Sequence, residues 1–286
     1  MAYLLDTNIC IYLRKDQSLK LSWWPKNWKL DKELEMENLP LRELLYKMAD
    51  DQLILGHRNS EWTGFGPLLE EDIAFSSMAQ DKVGHSLALY TLLHQLGESD
   101  PDTIAFTRNA NQFHNSILTE LPNQEYDFSL IRHFLYDIAE ALRFELLTNS
   151  SYEPLAQVAK KVRGELRYHT LHAKTWITQL GSATEESIGR LQKSLENAMP
   201  YALGIFEESL YEKEIIATEI FAGEAELKEK WLSKIEEIIS QTSLQLPDWK
   251  IVQPIYGGRV GKHSEHLQPL LDEMSEVFRI DPGAEW

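Results

Sequence analysis

Gln52, Lys82, His85, Asp137 and His169 are the residues here whose types and spacing bear on metal chemistry. A carboxylate three residues before a histidine puts both groups on one helical face. Two such pairs, joined by a carboxylate from each of two further helices, hold a pair of iron ions. In this chain the residue three before His85 is Lys82, and the residue three before His169 is Leu166. Both paired acids are missing, Gln52 stands at a third acid position as a neutral amide, and Asp137 is the carboxylate that remains. Iron ions carry several positive charges that carboxylates must neutralise in a low-dielectric core. One carboxylate beside an ammonium does not do this. The set therefore reads as a degenerate metal site: a structural polar cluster with no metal, no bound cofactor and no catalytic residue.

These residues need helices to position them. One apolar stripe runs Phe75, Met78, Lys82, His85, Leu89, Leu92, Leu96, in steps of three and four that keep one face. Others run Leu41, Leu45, Met48, Gln52, Leu55; Leu130, Phe134, Asp137, Ala141, Phe144; and Leu155, Ala159, Val162, Leu166, His169, Ala173, Ile177, Leu180. Each stripe is interrupted near its middle by a polar residue. The spacing predicts helices over roughly 40–62, 68–96, 127–148 and 154–180. Gly97 and Gly181 serve as stops, and Asp100-Pro101 starts a short connecting helix. Further helices are expected at about 184–198, 201–221, 223–241 and 264–278. Four long helices with an extended link between the second and third predict an all-α, ferritin-like four-helix bundle with additional C-terminal helices, over residues 38–286.

Composition is consistent with that reading. A chain of 286 residues with 43% hydrophobic content can bury a sizeable core, and a formal net charge of −17 argues against nucleic-acid and anionic-membrane partners. A single cysteine, Cys10, excludes an intramolecular disulfide. No apolar run has the length of a membrane span, and the first residues lack a secretion signal, so a cytoplasmic location is expected. Residues 1–37 read as an N-terminal extension. Their opening, MAYLLDTNICIYLRK, resembles the start of PIN-domain ribonucleases, in which an acid at the place of Asp6 binds metal. No alternating β/α pattern follows to supply the other acids.

An alternative register turns Asp81 and Glu165, each four residues before a histidine, toward the core, with Asp50 and Asp51 beside Gln52. That arrangement would make an active di-iron oxidase or hydroxylase. It turns Met78 and Leu166 toward the flank, at about 1.5–3 kcal/mol of lost burial per side chain. A third possibility is a metal-free helical interaction protein.

The segments ADDQLILGHRNSEWTGFGPLLEEDIAFSSMAQDKVGHSLALYTLLHQLG, GELRYHTLHAKTWITQLG and GGRVGKHSEHLQPLLDEMSEVFRIDPGAEW resemble the C subunits of bacterial phenylacetyl-CoA epoxidases, over about residues 38–286. The resemblance implies a multicomponent monooxygenase of aerobic phenylacetate breakdown, acting on a coenzyme A thioester. Its catalytic A subunit is similar in fold and carries the di-iron centre, a separate reductase delivers electrons, and the C subunit is non-catalytic. The A subunit's Gln-Asp-Glu-Ala-Gly-His motif corresponds to Gln80-Asp81-Lys82-Val83-Gly84-His85, with lysine at the liganding glutamate. This chain departs from many C subunits in keeping His85 and His169. The residues add an expectation of their own: the Lys82 ammonium faces Asp137 in place of metal charge, with Gln52, His85 and His169 as hydrogen-bond partners.

Three features have simpler readings. Lys160, Lys161, Arg163 and Arg167 form a basic run, more often a solvated face than a docking surface. Gly257-Gly258-Arg259 is a turn, because the Gly-Lys-Ser/Thr of a phosphate loop is missing. His263 and His266 precede and open a helix and do not form a metal pair.

Overall fold

A computed structural model describes residues 38–281. The expected extension at 1–37 lies outside the described residues. The described residues form helices and no strand, so the fold is all-α, of the ferritin-like class. They divide into two compact units: one of residues 38–115 with 265–281, the other Ser116–Ser264.

In the first unit, α1 (Leu39–Ser60) and α2 (Leu69–Gln95) pack along their lengths as an antiparallel pair. Arg42, near the start of α1, donates to the Leu96 carbonyl and pairs with Glu98 at 3.3 Å; at the other end the Thr63 and Ser76 hydroxyls meet at 2.6 Å. Acidic residues Glu70, Glu71 and Asp72 in the first turn of α2 complement its positive end. Gly97 ends α2 at φ 96°. Its amide bonds the His94 carbonyl at 3.1 Å and the Glu98 amide bonds Leu93 at 3.1 Å, a Schellman stop that favours glycine. Asp100 then caps α3 (Pro101–Thr107) by accepting the Thr103 amide at 3.0 Å. A short 3-10 turn covers Ala110–Gln112.

The second unit is built around one enclosed helix. After α4 (Ile117–Glu120), α5 (Tyr126–Leu147) packs against α6 (Glu153–Leu180), α7 (Glu185–Leu203) and α9 (Glu224–Ile239), with α8 (Glu212–Ala217) between the last two in sequence. Residues 128–140 of α5 are therefore all buried, and no single stripe describes it. Ala141, expected inside, is half-buried, while Glu140 and Arg143 are buried instead. Trp231 of α9 is 0% exposed and donates its indole N–H to the Leu135 carbonyl at 2.8 Å, anchoring α9 to α5. In the first unit again, α10 (Leu267–Ile280) packs on α3, with the Phe106 and Phe278 rings 5.4 Å apart.

The helix expected over 201–221 does not form. Instead α7 runs through Pro200 to Leu203, a 3-10 turn covers Gly204–Phe206, and α8 occupies six residues. The carbonyls that would continue a helix have other donors: the Ile255 amide bonds Pro200 at 3.0 Å and the Arg259 guanidinium bonds Ile205 at 3.0 Å. The other long helices lie within a few residues of their expected bounds, and the last begins at Leu267, later than its expected start.

Candidate functional site

On α1 and α2 the polar interruptions are buried, as their stripes require: Gln52 and Lys82 are 0% exposed and His85 is 2% exposed. The two helices approach closely where Gly56 meets the Ala79–Val83 turn. A Cβ on Gly56 would lie 2.9 Å from Val83 Cγ2 and 3.4 Å from Lys82 Cβ. Lys82 thus leaves α2 against the backbone of α1, one turn beyond Gln52.

Asp50 belongs to a different construction. Its Oδ1 accepts from the Arg108 guanidinium at 2.5 Å and from the Tyr90 hydroxyl at 2.5 Å. Its Oδ2 accepts from Arg108 at 3.0 Å and from the His114 amide at 2.8 Å. Arg108 also lies over the Phe113 ring at 4.0 Å. Burial first, and then the Asp50 charge, push the Tyr90 hydroxyl well above the usual tyrosine range. Burial works against the Arg108 charge, but Asp50 overcomes it and holds the guanidinium more firmly protonated than usual. Both carboxylate oxygens are occupied by donors, so Asp50 is a structural clamp joining α1, α2 and the segment after α3.

On α5 and α6, Asp137 and His169 are both 0% exposed. Asp137 Oδ2 pairs with His133 Nδ1, one turn earlier on α5, and Asp137 Oδ1 lies 3.6 Å from His169 Nδ1. His133 Nε2 faces His172 Nδ1 at 3.2 Å, and Tyr168 stands beside His172 with ring centroids 6.3 Å apart. The groups form a line, each nitrogen or oxygen turned to the next, running from half-buried His172 to buried Asp137. Among the described residues no group of three or more His, Cys, Asp or Glu side chains is arranged to hold a metal ion.

The alternative register is not the one these helices adopt. Met78 is 0% exposed and Leu166 1% exposed, whereas Glu165 is exposed and Asp81 half-buried. Leu166, three residues before His169, thus faces the core as an aliphatic side chain.

Several buried polar groups escaped the sequence reading. His133 and His172 carried a usable signal, at four residues before Asp137 and three after His169. Glu140, Arg143 and Glu224 carried little: Arg143 donates to Glu140 at 2.8 Å and pairs with Glu224, and the Glu224 amide bonds Glu212 at 2.6 Å. His57 is 3% exposed with a buried, unpartnered Nε2; burial, with Arg58 nearby, pulls it down to about 4. His263 bonds Glu120 at 2.7 Å and His266 stands at the N-cap position of α10, so these two do not act as a pair. Gly257-Gly258-Arg259 forms the expected turn. No helix among the described residues is long and apolar enough to cross a membrane.

Residues 27–286 match the model of a family described as phenylacetic acid catabolic protein. The chain is also similar to the C subunit of 1,2-phenylacetyl-CoA epoxidase from Escherichia coli (strain K12). The two are 30% identical over 241 residues, covering 84% of this chain and 96% of the relative.

Proposed function

Because the chain belongs to the phenylacetic acid catabolic protein family, we propose that it is the non-catalytic subunit of a phenylacetyl-CoA 1,2-epoxidase, pairing with a catalytic di-iron A-type subunit. Its place is in phenylacetate catabolism. The observation that carries the non-catalytic reading is Lys82, fully buried at a position where a di-iron helix presents a carboxylate. Leu166, equally buried, removes the second paired acid, and the clamp on Asp50 removes a substitute for Gln52. The residues present do not fit a di-iron centre: an ammonium and an amide stand where negative charge must balance the ions. The helices keep the architecture of the catalytic kind and use its interior for structural polar contacts. On this reading the chain works in the cytoplasm beside its A-type partner, further subunits and a reductase. The net charge of −17 sets it apart from nucleic acid and anionic membrane.

Co-expression with a tagged A-type subunit tests the role. A stable complex is expected to co-purify, and the reductase-driven epoxidation of phenylacetyl-CoA is expected to need both chains. Failure of the two to associate, or full activity of the A-type subunit alone, would refute the assignment.

A further inference from the structure

The exposed face of α6 carries a positive stripe on an acidic protein. Between residues 160 and 174 stand Lys160, Lys161, Arg163, Arg167 and Lys174 against one acid, Glu165, in a chain of net charge −17. The first four form the basic run already noted; the structure adds what lies beside them. Because α9 packs mainly on α5 and touches α6 sparsely, a cleft of about 890 Å³ opens between α6 and α9. Ile138 and Ile238 form its buried floor, Gly164 leaves room along its wall, and Tyr168 and Leu171 project into it, 48% and 63% exposed. Arg167 and Lys174 border one side and Lys234 the other, the last paired at the surface with Glu237 at 2.7 Å.

Tyr168 and Leu171, open to solvent beside the apolar floor, give a partner side chain apolar surface to cover. Arg163, Arg167, Leu171 and Lys174 follow one another in steps of three and four, so one apolar residue sits among three cations along a single helical line. A partner helix with the reverse pattern, apolar residues on one side flanked by acids, matches the cleft in shape and charge. We propose that the α6–α9 cleft docks an acidic amphipathic helix of a partner protein, with Leu171 and Tyr168 as apolar anchors and Arg167 and Lys174 as the charged rim. The docking at this surface does not depend on the proposed subunit role.

The probe is a fluorescein-labelled peptide of about eighteen residues, five helical turns, with leucines at helical spacing and glutamates elsewhere. It is titrated with the full chain and followed by fluorescence anisotropy. A permuted peptide of the same composition but no amphipathic pattern serves as control. Saturable binding of the patterned peptide is expected, with affinity falling about tenfold or more in Arg167→Glu and in Leu171→Asp, as for truncation of an interface anchor. A lysine-for-glutamate version of the peptide should bind Arg167→Glu better than it binds the parent chain. Lys174→Glu is a second rim variant should either of the others fold poorly, and it should weaken the acidic peptide in the same direction. Absence of binding, equal binding of the permuted peptide, or indifference to Leu171→Asp would overturn the proposal. So would self-association in sedimentation velocity that Leu171→Asp abolishes, since the cleft would then belong to a second copy of this chain.

Discussion

Asp50→Asn is the substitution that best separates a structural carboxylate from a metal ligand. Asp50 is 0% exposed and takes four hydrogen bonds, from two Arg108 nitrogens, the Tyr90 hydroxyl and the His114 amide. Asparagine keeps the volume but loses the charge, and one side of its amide faces donors with a donor. Removing one member of a buried ion pair costs about 3–5 kcal/mol, largely because the other charge is stranded. The Arg108 side chain is 11% exposed and keeps some access to water, which places the loss at the lower end. A loss of about 3 kcal/mol lowers the melting temperature by roughly 6–12 °C in a chain of this size. Thermal melts followed by circular dichroism measure it. The double variant Asp50→Asn with Arg108→Met removes both partners and should recover part of the loss, a non-additivity of about 1 kcal/mol or more. A single variant melting within about 1 °C of the parent, or a double variant whose losses simply add, would refute the clamp.

Three other outcomes follow from the same structure. Lys82→Ala should lower the urea midpoint by the equivalent of about 3–5 kcal/mol, since it empties a fully buried position of a long side chain and of its charge, and Lys82→Met should recover only the packing share; an unchanged midpoint in Lys82→Ala would contradict the structural role. His57 has a folded value of about 4 against an ordinary 6.5, so as the pH falls the unfolded chain takes up the proton first. Stability from this group is full above pH 6.5 and is lost as the pH falls toward 4, by roughly 3 kcal/mol in total. Urea midpoints at pH 7 and near pH 4 should therefore differ less in His57→Leu than in the parent chain.

The parts of this molecule governed by local rules were legible in its sequence. Helical spacing placed Lys82, His85 and Gln52 in the interior, and it set Met78 and Leu166 inward with Glu165 outward. Gly97 and Asp100 marked a helix end and a helix start through backbone requirements that act within a few residues. Long-range contacts were not legible. The partners of Asp50 lie 40, 58 and 64 residues away along the chain, so nothing near it announced the clamp. Because α5 is enclosed by three helices, its burial follows no stripe, and Glu140 and Arg143 could not be placed inside from periodicity. The expected helix over 201–221 failed for a similar reason, its carbonyls being bonded from residues 255 and 259. His133 was within reach, one turn before Asp137 on the same helix, but it lies off the single stripe that periodicity traces through Asp137.

Iron content after anaerobic reconstitution with ferrous ion tests the central claim most directly. With Lys82 and Leu166 at the two paired-acid positions, the purified chain should retain well under one iron after desalting, far short of the two in a di-iron site, and should consume no oxygen on exposure to air. Retention of about two irons per chain, together with oxygen uptake, would contradict the account.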